Sequence, residues 1–250
     1  MTDFSKLARK ITWVLFANQS LASAGFIAAA TLNSIVGAAL ANHAGWAGVP
    51  TATYLLAGAL AAFGWGYLFD SMGRRNGLVT GLLLGALGSG AAFYAIMIHS
   101  FAFFLGGMVL MGMANAAVQL GRFAAAEVNT PENRGRAISN VVIGGTVGSV
   151  VGPFVTGPAG AFFKPIAGDE LAGAYAISLA LFCIGAVVVF LGLRPDTREV
   201  GREVAEKFPE VNLNQGQARS FFEIFRQPAA FVALTAMLLE IGRASCRERV

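Results

Sequence analysis

Charge is what this 250-residue sequence has least of. Only 13% of its residues are Asp, Glu, Lys or Arg, whereas 56% are hydrophobic. An average soluble domain carries about 25% charge, so this chain cannot coat itself in water-compatible groups. Cysteine and histidine are scarce too, with two of each. Cys183 and Cys246 suggest no disulfide framework. Cys183, inside an apolar run, reads as a small core residue. His43 and His99 fall in connections between apolar runs, and no His/Asp/Glu or Cys/His set stands within reach of either. A catalytic residue, a metal and a cofactor are therefore not expected, and neither is an enzyme. Carboxylates are missing from the depth of the first six apolar runs. Coupling to protons usually needs one there, so the sequence leaves that coupling open. The net charge of +4 does not form a nucleic-acid patch, because the basic residues sit at the ends of apolar runs.

What is present is length and apolarity. Uncharged runs of about 20 residues mark bilayer-spanning helices, and the 31 glycines suit helices that approach closely in lipid. Six spans are expected, over Thr12 to Ala41, Pro50 to Phe69, Gly77 to Ile98, Phe101 to Glu127, Ala137 to Val155 and Ala174 to Leu193. A Gly/Pro-rich loop reaches Leu171 between the last two. The first run is far longer than the apolar core of a signal peptide. The reading is an all-α polytopic membrane protein whose partner is the lipid bilayer, with a six-helix bundle over residues 1–193. A charged cytoplasmic linker over 194–228 and the start of a seventh helix over 229–239 follow. Ile241 to Val250 resembles the translation of a common short-read sequencing adapter, so 240–250 is expected to be an artefact that truncates the seventh helix.

Topology follows from the basic residues. Fourteen of the 18 Lys and Arg fall on one side of this arrangement: the start, the second-to-third turn, the end of the fourth span with its loop, and the linker. Lys164 alone lies on the other side, and three belong to the suspected adapter. This alternation puts the N-terminus in the cytoplasm and the protein in the cell (cytoplasmic, inner) membrane.

The turn between the second and third spans reads Gly64-Trp65-Gly66-Tyr67-Leu68-Phe69-Asp70-Ser71-Met72-Gly73-Arg74-Arg75. Gly66 and Gly73 would allow close backbone approach or φ > 0. Gly66, Leu68, Asp70, Gly73, Arg74 and Arg75 fall on the pattern G-x-L-x-D-x-x-G-R-R, and here the sequence resembles the major facilitator superfamily. The resemblance implies a six-helix half of a twelve-helix fold. Its function would be transmembrane transport of a small solute by alternating access, with or without protons, and its missing second bundle would be required for that function. It also implies gating charges at the cytoplasmic end: Asp70, Arg74 and Arg75, with Glu127, Arg134 and Arg136 after the fourth span. Glu127 would pair with Arg74 or Arg136, and Asp70 would face the partner bundle. In the fifth span, Gly148, Gly152 and Pro153 resemble the family's antiporter motif, although the motif's final glycine pair is absent. A generic glycine packing face explains the same residues. A proton-coupled exporter is one form of the transporter reading, and a non-transporting scaffold or receptor on the same fold is the alternative.

The expected substrate cavity rests on the first and fourth spans, which line it in the family. Asn115, Gln119 and Arg122 are spaced i, i+4, i+7 on one helical face. Asn18 and Asn33 lie within about 60° of each other on the first span, with Gln19 adjacent. Arg122 stands about 7.5 Å inside Glu127. It either binds an anionic group or snorkels to the interface and pairs with Glu127.

Overall fold

A computed structural model describes residues 2–130, 132–194 and 197, with side chains from residue 6 onward. The expected linker, the start of a seventh helix and the adapter-like residues 240–250 lie outside the described residues. Among the described residues every regular element is helical. The chain runs α1 (Thr2–Ala30), α2 (Asn33–Ala41), a 3-10 turn (Ala44–Trp46), α3 (Val49–Met72), α4 (Arg74–Met97), α5 (Phe101–Glu127), α6 (Arg134–Ala167) and α7 (Ala172–Gly192). Six stretches are long and apolar enough to cross a membrane, the first being α1 and α2 together.

Helix ends follow local chemistry. Pro50 occupies the first turn of α3, where its missing N–H costs nothing. The hydroxyl of Ser100 accepts from the Phe103 N–H at 3.4 Å and so caps α5, which spans the expected residues. Two expectations need correction. The first span is broken at Thr31-Leu32, where α1 gives way to α2. The fifth span does not stop at Val155, because α6 continues to Ala167 through Pro153, Pro158 and Pro165. A proline leaves the carbonyl four residues back unbonded, and in lipid a helix tolerates this where neighbouring groups re-satisfy the backbone. The carbonyls freed in this way are those of Ser149, Phe154 and Ala161, one for each proline inside the helix.

The core lies among α1, α4, α5 and α7, where Ile11, Leu15, Leu78, Leu82, Phe104, Met108, Tyr175 and Phe182 are fully buried. Phe26 and Phe182 tilt together at 4.7 Å between centroids, and Phe104 meets Tyr175 edge-on at 5.5 Å. Polar ties join helices too: the Ser178 hydroxyl of α7 donates to the Gly25 carbonyl of α1 at 2.7 Å, and the Trp65 indole of α3 to the Met113 carbonyl of α5 at 2.8 Å. Cys183, expected in the core, is exposed on α7, where a thiol behaves as one more small apolar group towards lipid.

The seam between α1 and α6 is built from glycine. A Cβ on Gly144 would come within 2.7 Å of the Phe16 carbonyl, and one on Gly152 within 2.7 Å of the Ala24 carbonyl. On Gly148, between them, a Cβ would collide with the Ser20 carbonyl. Phe16, Ser20 and Ala24 repeat every four residues, as the glycines do, so the two helices run in register at backbone contact. The antiporter-like stripe is thus a packing surface in this bundle, and it sets how close α6 stands to the polar face of α1.

Candidate functional site

At the turn between α3 and α4, Gly73 has φ +85° and ψ 162°, a region open essentially to glycine alone. Gly66 needs no such freedom: it sits within α3 with nothing within 4 Å of an added Cβ among the described residues. By turning the chain at Gly73, the fold starts α4 with Arg74 directed at α5. The Arg74 guanidinium grips Glu127 with two bonds, Nη2 to Oε1 at 2.7 Å and Nε to Oε2 at 3.1 Å. Its third nitrogen reaches Asp70 Oδ1 at 3.1 Å. One arginine therefore ties the ends of α3, α4 and α5 together through the bidentate geometry that suits guanidinium and carboxylate. Arg75 turns the other way: its Nε donates to the Phe190 carbonyl at 3.1 Å, and the cation lies 4.4 Å from the Phe190 ring centre. Of the two partners expected for Glu127, the structure uses Arg74. Arg136 is exposed, and it shares a pocket of about 470 Å³ with Arg9, Trp13, Phe16 and Asn133. Arg134 opens α6, and its Nε is buried with no partner among the described residues.

The candidate cavity residues divide into two groups. Asn18 and Asn33, expected on one helical face, stand on α1 and α2 either side of the Thr31-Leu32 break, and both are buried in the bundle. The Asn33 carboxamide oxygen accepts from the Tyr175 hydroxyl at 2.8 Å. Asn18 is wedged near Gly121 of α5 and Gly185 of α7, with both amide atoms buried and unpartnered among the described residues. Gln19, Asn115, Gln119 and Arg122 instead line open clefts. A cleft of about 330 Å³ among α1, α5 and α6 is lined by Gln19, Ser23, Gln119, Arg122, Thr146 and Ser149, with Val141, Val142 and Gly145. A second, of about 310 Å³ between α3 and α5, holds Asn115, Gln119 and Arg122 against Tyr54, Leu55, Leu120 and Phe123. Gln119 and Arg122 form the ridge the two clefts share. The expected pairing of Arg122 with Glu127 is not made, since Arg74 holds that carboxylate; the Arg122 guanidinium lies 5.3 Å from the Phe123 ring centre.

The sequence did not single out Ser23, Thr146 and Ser149. Hydroxyls within a helix usually bond their own backbone, as the Ser149 hydroxyl does with the Gly145 carbonyl at 2.9 Å. The signal that reveals them is the glycine register, which brings that face of α6 beside Gln19.

Residues 15–242, most of the chain, match the Major Facilitator Superfamily (MFS). The chain belongs to that superfamily. Similar proteins include two from Bacillus subtilis (strain 168). The uncharacterized MFS-type transporter YddS is 30% identical over 201 residues, which is 80% of this chain and 46% of that protein. The uncharacterized MFS-type transporter YdeG is 28% identical over 198 residues, 79% of this chain and 46% of that protein. The riboflavin transporter RfnT of Brucella anthropi is 27% identical over 237 residues, 94% of this chain and 56% of that protein. The chain thus spans about half the length of the MFS relatives it matches. Family and fold agree: this is a multi-pass membrane protein whose described residues form an MFS half-bundle.

Proposed function

We propose that this protein moves a small solute across a membrane by alternating access, the described bundle acting as the N-terminal half of a two-bundle MFS transporter. The observation that carries this is the ridge of Gln119 and Arg122, with Gln19 and Asn115 beside it, facing two adjoining clefts of the bundle. Polar side chains at membrane depth are costly and mark solute pathways. In such transporters the substrate site lies near the midplane between bundles, which is where this open face would meet a second bundle. The basic residues support a cytoplasmic N-terminus in the inner membrane. On that orientation Arg74, Asp70 and Glu127 form a cytoplasmic latch that stiffens this bundle, while the largely exposed carboxylate of Asp70, bonded to Arg74 through Oδ1, turns its other oxygen to the other bundle. Among the described residues the carboxylates stand at helix ends and connections, so this reading assigns no proton site within the spans.

The test is uptake into proteoliposomes by the intact protein encoded at its native locus. Riboflavin is included because RfnT is named for it, alongside a panel of organic acids and their amides. Saturable uptake above that of protein-free vesicles is expected for at least one solute, reduced several-fold by Arg74→Ala. Uptake of every solute at the protein-free rate would overturn the reading.

A further inference from the structure

We infer that the solute is an organic monoanion whose acid group is held by Arg122. The inference rests on the transport reading for its site and adds the chemistry the site selects. Arginine stays charged under all ordinary conditions and carries only donors, so each buried N–H of its guanidinium needs an acceptor. Arg122 lacks one: its Nε is buried with no partner among the described residues. The nearest candidate acid on its own helix, Glu127, is held by both arms of Arg74. The rest of the cleft wall offers uncharged hydrogen-bonding groups, Gln19, Ser23, Gln119, Thr146 and Ser149, and no carboxylate. A cationic solute would meet a like charge with nothing to offset it, whereas a carboxylate would find a fork of parallel N–H groups.

The second cleft supplies the rest of the recognition. It begins at the same Arg122 and Gln119 and continues over Tyr54, Leu55, Leu120 and Phe123. An acid bound on the ridge can therefore lay an apolar or aromatic body between α3 and α5. Clefts of about 310 and 330 Å³ are of the size that holds small organic ligands.

The experiment uses the intact protein, purified in detergent, and three acids with their uncharged amides: benzoate and benzamide, nicotinate and nicotinamide, octanoate and octanamide. At least one acid is expected to raise the melting temperature in a saturable way, with affinity at least tenfold above its amide. Arg122→Gln should abolish the acid's advantage. Arg122→Lys, which keeps the charge and guards against a merely misfolded variant, should retain a weaker one. Three results overturn the inference: no acid stabilises the wild type, amides bind as well as acids, or Arg122→Gln keeps the tenfold preference. Uptake assays on the same preparations separate this from the transport reading. Uptake of riboflavin or amides that is indifferent to Arg122→Gln, without acid preference, removes the anion site and leaves transport standing. Arg122-dependent acid binding without uptake of any solute does the reverse.

Discussion

At one end of the bundle Gly73 turns α3 into α4; at the other, Gly168 turns the chain from α6 towards α7. Each turn pairs a glycine at positive φ with a basic side chain bonded to a carboxylate at 2.7 Å. The resemblance ends there. Gly73 is buried and extended at ψ 162°, and its arginine spans 53 residues to reach Glu127. Gly168 is exposed with ψ −13°, and its lysine reaches only six residues along the chain, to Glu170. Equal bond lengths therefore hide unequal consequences. What an ion pair contributes depends on the elements it joins and on how much water surrounds it.

The largest effect expected from breaking this comparison comes from asparagine at each glycine. Asparagine adopts the left-handed helical region readily but not the extended region at positive φ. Gly73→Asn should cost about 3 kcal/mol of stability. Gly168→Asn, at a helix C-cap where asparagine is an ordinary occupant, should cost under about 1 kcal/mol. Thermal unfolding of the intact protein in detergent, followed by tryptophan fluorescence, reads both. Equal losses would mean that backbone strain does not distinguish the two turns.

Next in size is the arginine itself. Arg74→Ala leaves Glu127, about a third exposed, without its two charged bonds, at a cost of about 2 kcal/mol. Glu127→Gln should cost less, because the amide keeps one acceptor. A double-mutant cycle between these positions should give a coupling of about 1 kcal/mol or more. Additive losses would show that the inter-helix grip contributes nothing beyond its separate parts.

Much of this was legible from sequence, for reasons the structure makes plain. The Gly73-Arg74-Arg75 turn could be read because glycine and a pair of cations between two long apolar runs mark a turn at the membrane surface. The α5 boundaries followed from the apolar run that ends at Glu127, and the Ser100 cap agrees with them. The break at Thr31-Leu32 was not legible, since no proline or glycine marks it. The extension of α6 was hidden by reading the Gly/Pro-rich stretch with Pro158 and Pro165 as a loop, a soluble-protein habit that lipid relaxes. Asn18 and Asn33 show a further limit. Helical periodicity placed them on one face of an unbroken span, but it could not foresee the Thr31-Leu32 break between them or say whether either meets an open cleft or the core. Arg122 was left between anion binding and snorkelling towards Glu127, and it lines both clefts.

The smallest effect sharpens the comparison most. The Lys164 and Glu170 side chains are 61% and 59% exposed, so water competes for both charges and salt screens what remains. The turn also has a hold that no side chain supplies, the Gly168 N–H donating to the Lys164 carbonyl at 2.9 Å. Alanine at position 164 keeps that backbone bond and favours the helix as well as lysine does. Lys164→Ala is therefore expected to leave the melting temperature unchanged at both low and high salt, whereas Arg74→Ala lowers it at both. If Lys164→Ala instead matched the Arg74→Ala loss at low salt and recovered at high salt, the outer pair would be contributing through charge despite its exposure. Burial and sequence separation would then fail as the criteria that set the two turns apart.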